Sequence, residues 1–518
     1  MSYSPGLGSS ITNTRMRTPD NVSDFSGMCA VCSMSCTGSC EIGLSALRGS
    51  EAIYPYELNN NQFASEKSYP LDFSHFSING RVFGAKGCPE NVYSASFFNA
   101  DISFKFGTRS RIDLKAPIIL PAMAKLNWKD YFAGAAMAGV LVVIGEDVAG
   151  KDKNLVLENG RVVSAPLIEE MVNSFREYYR GFGDIILQAN YDDEHLGVLD
   201  YAVSELGVKS VELKFGQAAK GIQGLGRVKT IEDALALQQK DYIVHPDPSD
   251  PAVASDYEKG LVPYFEKAGK LPIWNEEILA SRIAYLRRLG AERILFKTGP
   301  FDTEDIIRIL KIASANDIDL VTVDTAGGGS GNSPVKMMNE WGIPAVYQES
   351  ILYDILKKME SRHYRLPAVA IAGGFAMEDH VFKGLALGAP YVRMVGIGRA
   401  AMAAALSGKK VGELIEAGTV PKEYQRFGNT KEEIFGDLPL LRKIYGERAD
   451  EISTGAIGLF SYINRISDGL RQLMALNRKF ALEYIDRSDI IPMTDLAARI
   501  SGIDDPKKAA EKAIDMFV

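Results

Sequence analysis

Eight short runs of β-branched and aliphatic residues recur between positions 117 and 395, and amphipathic segments separate them. This alternation constrains the fold more than any other feature of the chain. The runs are 117–121 (PIILP), 140–144 (VLVVI), 184–189 (DIILQA), 210–214 (SVELK), 293–297 (RILFK), 320–324 (LVTVD), 367–372 (PAVAIA) and 391–395 (YVRMV). A helix between two strands returns the chain to the start of the next, so repeated strand–helix units build a parallel sheet, and eight strands are the number that closes it into a barrel. The segments between the runs carry helical periodicity, as in 303–316 (TEDIIRILKIASAN) and 380–387 (HVFKGLAL). The expected fold class is α/β, a (β/α)8 TIM barrel over residues 115–411.

The flanks read differently. Residues 1–114 are irregular and rich in Ser, Gly, Asn and Phe, which predicts a loop-rich N-terminal segment; residues 412–518 predict a helical C-terminal extension whose last part, 459–518, serves packing or assembly. Residues 215–271 are too long for one strand–helix connection and are expected to cross over the barrel mouth, where such loops build catalytic faces. A second insertion, 343–348 (IPAVYQ), is expected as an extra strand outside the ring. With 46% hydrophobic and 24% charged residues and a net charge of −8, the chain offers no basic surface for nucleic acid. Its first residues, MSYSPGLGSSITNTRMRTPDN, lack a secretory signal, so a cytoplasmic protein is expected. The longest apolar run, 133–144, falls far short of the roughly 20 residues that span a bilayer, so no membrane span is expected.

Two glycine-rich turns end the last two strands: AIAGG, with Gly373 and Gly374, and VGIGRA, with Gly396, Gly398 and Arg399. Glycine lets an anion approach backbone N–H groups, a following helix adds its positive end, and an arginine pairs bidentately with phosphate. In (β/α)8 barrels the phosphate site follows strands seven and eight, where this pair falls. Lys214 and Lys297 each end a strand; each is either a cation aimed into the mouth or a side chain snorkelling at the rim. Residues 324–334, DTAGGGSGNSP, starting at Asp324 and including Gly328 and Gly329, read as a ligand-cradling loop or a flexible connector. Residues 214–229, KFGQAAKGIQGLGRVK, carry Lys220, Arg227 and Lys229, cations for a dicarboxylate or a solvated basic loop.

Over about residues 117–406, with a weaker echo at 489–503, these motifs resemble the FMN-binding domain of glutamate synthase. KFGQAAKG resembles that family's MAQGAKPGEGG loop, which implies that Lys214, Gln217 and Lys220 act at the catalytic site near flavin and 2-oxoglutarate. DTAGGGSGNSP resembles SGHDGGTGASP through Gly327, Gly328, Gly329, Gly331, Ser333 and Pro334. AGGFAMEDHVFKGLALGA followed by VGIGRAAMA resembles the FMN-phosphate region shared with the hydroxy-acid oxidases. The cofactor-binding set is then Ala122, Met123, Lys297, Asp324, Gly328, Gly329, Gly373, Gly374, Gly396, Gly398 and Arg399. Lys297 is the expected flavin lysine, because a cation there stabilises charge gathering near N1 and O2 of the ring on reduction. Three departures stand out. The family's cluster cysteines after the last strand have no counterpart, no glutaminase domain is read in this sequence, and Gln223 stands where an acid is expected, with no Pro after Lys220.

All five cysteines fall within the first 88 residues, and Cys29, Cys32, Cys36 and Cys40 form a C-x2-C-x3-C-x3-C run. Four thiolates so close together wrap a cubane or one zinc; zinc sites more often split into separated pairs, so the run is read as an iron–sulfur site, 4Fe-4S, with Cys88 before Pro89 as an alternative ligand. The five histidines show no metal spacing and read as surface or packing residues; His245 is the one candidate among them for a place near a substrate. Glu146 and Asp147, after the second strand, either face the mouth or form a solvated turn, and are read as the latter. The expected function is an FMN- and iron–sulfur-dependent oxidoreductase that reduces the imine of a 2-oxo acid, 2-oxoglutarate, and ammonia. Its expected partners are an electron donor, such as ferredoxin or an NAD(P)H-oxidising subunit, and a separate amidotransferase subunit. The alternatives are an FMN hydroxy-acid oxidase, which requires a His base after a barrel strand that KTGPFDTED does not supply, and a flavin and iron–sulfur electron-transfer subunit of a larger complex.

Overall fold

The computed structural model describes residues 41–53, 69–122, 127–216, 226–271, 274–328 and 333–518. Its centre is a closed barrel of eight parallel strands in sequence order: β1 (Ile118–Leu120), β2 (Leu141–Ile144), β3 (Asp184–Ala189), β4 (Ser210–Phe215), β5 (Arg293–Thr298), β6 (Leu320–Asp324), β7 (Ala368–Ala372) and β8 (Val392–Gly396). β8 pairs with β1 to close the ring.

Two-residue periodicity divides each strand into an outer and an inner row. Outward residues such as Val142, Ile144, Val211, Leu213, Phe296, Val321 and Val323 join the helices in one large core. Inward residues Ile119, Leu141, Val143, Ile186, Leu295, Leu320, Ala370 and Met394 fill the barrel's lower interior. A hairpin from the N-terminal segment, Phe104–Phe106 against Ile112–Leu114, plugs the end where the strands begin; its Phe106 and Leu114 complete the inner cluster. The polar groups around that plug are paired: Arg293 meets Asp184 at 3.1 Å, and Thr108 donates its backbone N–H to Asp319 at 2.6 Å. One end of the barrel is thereby sealed, and ligand access is left to the other.

The long excursion is a small unit of its own. Gly226–Val228, Phe265–Ala268 and Ile243–His245 form an antiparallel sheet in that spatial order, backed by helices Ile231–Gln239 and Pro251–Glu258 around Ala234, Val244 and Phe265. It docks on the barrel through Lys267, whose ammonium lies 3.2 Å from Asp147 and 3.7 Å from the centre of the Tyr242 ring.

The insertion at 343–348 is not an extra strand. Helix Ala345–Ser361 starts inside it, after Pro344 at the N-cap, and buries Val346, Leu352, Leu356 and Met359 on one face. Helical spacing over seventeen residues outweighs the β-branched look of six. The same helix buries Glu349 completely. Burial pushes this carboxyl well above its ordinary value near 4.5, against the pull of Arg487 and the Gly388 N–H. The folded state therefore keeps a proton that the unfolded chain releases. Stability should fall by about 1.4 kcal/mol per pH unit as pH rises above the unfolded value, until the folded carboxyl ionises. Glu349→Gln should flatten that slope in urea-unfolding titrations and raise stability at neutral pH; an unchanged slope would show that Glu349 is already ionised when folded.

In the C-terminal extension, helix Thr454–Leu476 packs along helix Arg399–Glu416 and also contacts Trp128–Ala138. Glycines allow the closest approach: a Cβ on Gly408 would lie 2.4 Å from the Thr454 carbonyl oxygen, and one on Gly458 would lie 2.7 Å from that of Ala404. Gly408→Val should cost about 1–3 kcal/mol of unfolding free energy through overpacking. Because helix Arg399–Glu416 starts at the barrel mouth, the same variant should also loosen whatever anion that end binds; equal stability would mean that the helices part freely. The segments flanking the barrel meet as well, since Phe76–Ile78 pairs antiparallel with Ile490–Pro492.

Candidate functional site

The strand ends opposite the hairpin plug open into a cavity with about 870 Å3 of empty space, open to solvent. Its walls come from Pro121, Ala122, Gln188, Lys214, Lys297, Asp324, Gly327, Gly328, Ala372, Gly373, Gly374, Phe375, Ala376, Gly396, Gly398, Arg399 and Ala400. Every catalytic or cofactor residue expected from the sequence and described in the structure lines it: Ala122, Lys214, Lys297, Asp324, Gly328, Gly373, Gly374, Gly396, Gly398 and Arg399. Met123, Gln217, Lys220 and Gly329 lie outside the described residues, as do Cys29, Cys32, Cys36 and Cys40.

One wall is cationic. Lys214 and Lys297 are register partners on β4 and β5, so both ammonium groups rise from neighbouring strands at the same height. Both side chains are buried and carry counter-ions: Lys297 Nζ lies 3.0 Å from Asp324 Oδ1 on β6, and Lys214 Nζ lies 2.6 Å from Glu146 Oε1 after β2. Strand alternation explains this wall. In SVELKF, Ser210, Glu212 and Lys214 share the inner row; in LVTVD, Leu320, Thr322 and Asp324 do. Below Lys214, Glu212 is buried, and Gln188 on β3 donates an N–H to it. Burial raises the Glu212 carboxyl above its ordinary value, and Lys297 and the Gln188 hydrogen bond oppose the rise.

The other wall is glycine backbone. Gly373 (φ +120°) and Gly374 (φ +90°) adopt conformations that L side chains rarely reach. A Cβ on Gly373 would lie 2.3 Å from Thr325 Oγ1 and 2.8 Å from the Gly328 nitrogen, because the loops after β6 and β7 pack backbone to backbone. A Cβ on Gly374 would meet nothing within 4 Å. Gly398 is the N-cap of the eighteen-residue helix Arg399–Glu416 and places no side chain over the first turn. The positive end of that helix, its unpaired N–H groups and Arg399 therefore meet at the cavity. Supports from both flanking segments hold the turn after β7: Tyr462 donates its hydroxyl to the Ala376 carbonyl, and Phe73 packs on Phe375 with ring centres 5.1 Å apart.

Several expectations change. Glu146 and Asp147 are not a solvated turn: Glu146 is the counter-ion of Lys214, and Asp147 is buried against Lys267, because the excursion covers that corner. Arg227 stacks on Tyr264 at 4.2 Å and pairs with Glu266 at 3.1 Å within the outer sheet. His245 is exposed on that sheet's edge strand, and none of the five histidines lines the cavity. Cys88 is half-buried with a free thiol, and no group of His, Cys, Asp or Glu among the described residues is arranged to hold a metal ion. No helix among the described residues is long and apolar enough to cross a membrane. Sequence reasoning passed over Gln188 and Glu212, although the alternation in DIILQA and SVELKF puts both on the inner row with Lys214.

No curated protein sequence matches the chain. Among solved structures it is similar to a doubly substituted flavocytochrome b2 with sulfite bound, at 14% identity and TM-score 0.45, over 85% of this chain and 81% of that one. It is also similar to a soluble mutant of the membrane-associated (S)-mandelate dehydrogenase from Pseudomonas putida, at 14% identity and TM-score 0.41, over 81% and 88% of the two chains. The model of the conserved region in glutamate synthase matches residues 268–408, which contain β5 to β8, Lys297, Asp324 and both glycine turns. Residues 268–408, which hold the second half of the barrel, are therefore similar to the conserved region in glutamate synthase.

Proposed function

We propose that the cavity binds FMN and that the chain is an FMN-dependent oxidoreductase of the glutamate-synthase type. One observation carries this reading: two counter-ion-paired lysines at matched register face the same cavity as two glycine turns and the start of a long helix. The donor set fits the group. Gly374, Gly398 and Arg399, with the first N–H groups of helix Arg399–Glu416, would hold the phosphate; Lys297 and Lys214 would face the ring. Gly374 supports this fit, since a side chain there would point into open space that an anion needs. When bound, FMN supplies hydride or single-electron transfer. The protein's part is to orient the ring, exclude water and keep cations where negative charge develops.

The finer form of the reading is reduction of an imine formed from a 2-oxo acid and ammonia, with 2-oxoglutarate as the leading substrate. Lys220 is the proposed cation for its carboxylates, with Lys214 and Gln217 beside it; Arg227 is left out because Glu266 and Tyr264 already hold it. The reading includes an iron–sulfur cluster on Cys29, Cys32, Cys36 and Cys40, carried by their spacing alone, an external electron donor and a separate ammonia-releasing subunit. Denatured protein should release FMN, and anaerobic preparations should contain iron and sulfide in comparable amounts. Protein bleached with dithionite should regain its visible absorbance when 2-oxoglutarate and ammonium are added together, and not with either alone. Release of FAD, or of no flavin after reconstitution, would overturn the cofactor; zinc without sulfide would overturn the cluster.

A further inference from the structure

The corner of the mouth beside Lys214 is held from outside the barrel. Glu146 and Asp147 follow β2, and their side chains reach different partners: Glu146 lies 2.6 Å from Lys214 Nζ, and Asp147 lies 3.2 Å from Lys267 Nζ of the excursion. Asp147 sits at φ +65°, the left-handed region that residues with a side chain seldom occupy, and it is only 4% exposed. Such a conformation persists where its surroundings over-determine it. Here three contacts do so. The Asp147 N–H donates to Oδ2 of the buried Asp193 at 2.9 Å, and the Asp147 carboxylate pairs with Lys267. The next turn, Val148–Lys151, packs on Tyr242 so closely that a Cβ on Gly150 would lie 2.5 Å from its hydroxyl.

Two of these supports, Lys267 and Tyr242, come from the excursion, and they brace each other: the Lys267 ammonium lies 3.7 Å from the centre of the Tyr242 ring. The two lysines of the cavity are therefore held in different ways. Lys297 pairs with Asp324, which the register of β6 with β7 fixes inside the ring. Lys214 pairs with Glu146, which sits on a turn that the excursion holds.

Resting on the FMN reading, we infer that Lys267 is a positioning residue for the cavity: by keeping Asp147 in its left-handed turn it keeps Glu146 on Lys214, and so keeps one of the two ring-facing cations in place. Without the Lys267 charge, Asp147 is a buried carboxylate beside Asp193 with no ammonium to offset it. The turn then opens to hydrate Asp147 and draws Glu146 away from Lys214, while Lys297 stays as it was.

The test uses the purified full chain and two readouts. Brief acetylation with acetic anhydride, followed by peptide mapping, reads both cavity lysines in flavin-free protein, since an ammonium that loses its counter-ion gives up its proton more readily and reacts faster. In Lys267→Met, and in Asp147→Ala, which breaks the same pair with a smaller change, Lys214 should react about three- to thirtyfold faster than in wild type, the range that coupling through packed networks spans. Lys297 should react at its wild-type rate. FMN titrations should show affinity falling by a similar factor in both variants, and Lys267→Met should add nothing once Glu146→Gln has removed the link. Lys214 acetylated at the wild-type rate in both variants overturns the proposal. Equal acceleration at Lys214 and Lys297 also overturns it, by making Lys267 a general support of the fold, as does an effect of Lys267→Met on FMN that Glu146→Gln leaves undiminished. Wild-type protein that takes up no FMN overturns the cofactor reading instead, and acetylation alone then decides whether Lys267 places Lys214.

Discussion

Replacing Lys297 by Met should lower the free energy of unfolding by about 3–5 kcal/mol, because it strands Asp324 as a buried charge without its partner. Both side chains are nearly inaccessible and 3.0 Å apart, so solvent cannot take the place of the missing ammonium. The double variant Lys297→Met with Asp324→Asn should recover most of that stability, since an unpaired charge is costlier than the pair is favourable. It should not recover FMN, because the cation proposed to face the ring is gone from both variants. Urea unfolding of the two single variants and the double variant, beside an FMN titration of each, separates these effects. A single variant as stable as wild type would mean that water reaches Asp324 and that the ion pair contributes little.

Gly374→Leu should abolish FMN binding with little damage to the fold. Its φ of +90° costs a leucine about 1–3 kcal/mol, but the side chain has open space to enter, and that space is where the phosphate is proposed to sit. A loss of affinity of more than about a hundredfold, roughly 2.7 kcal/mol, is expected beside near-native circular dichroism. Gly373→Ala should behave in the opposite way: its Cβ would strike Thr325 Oγ1 and the Gly328 nitrogen, so stability should fall before binding can be measured. If Gly374→Leu binds FMN normally, the phosphate does not lie over this turn.

Much of the barrel was legible because strand alternation and helix periodicity are local. The expected strand at 184–189 coincides with β3 and the one at 320–324 with β6, and β4 and β5 each run one residue further than expected, to Phe215 and Thr298. The insertion at 343–348 misled because a six-residue window cannot show the helical face that Leu352, Leu356 and Met359 complete further along the chain. The glycine turns and the two lysines were legible as site residues because each ends a strand, and strand ends in a parallel barrel all open on one face. Glu146 was not, since a Glu-Asp pair after a strand is usually solvated, and only β4 brings Lys214 against it. Gln188 and Glu212 were legible in principle; their inner-row parity is plain, but a buried Gln or Glu gains meaning only when its neighbours are known.

Inward-facing residues, turns and glycine-bearing loops were written in the local pattern of residues, because they follow from two- and 3.6-residue periods and from backbone sterics acting over a few positions. Tertiary structure alone decided the partners: Asp324 for Lys297, Glu146 for Lys214, Asp147 for Lys267, and Tyr462 with Phe73 behind the turn after β7. Phe73 and Tyr462 come from opposite sides of the barrel in sequence, and no local pattern encodes their meeting at Phe375 and Ala376. Charge pairing and close packing depend on distances of a few ångströms across strands and helices, and those distances exist only once the ring has closed.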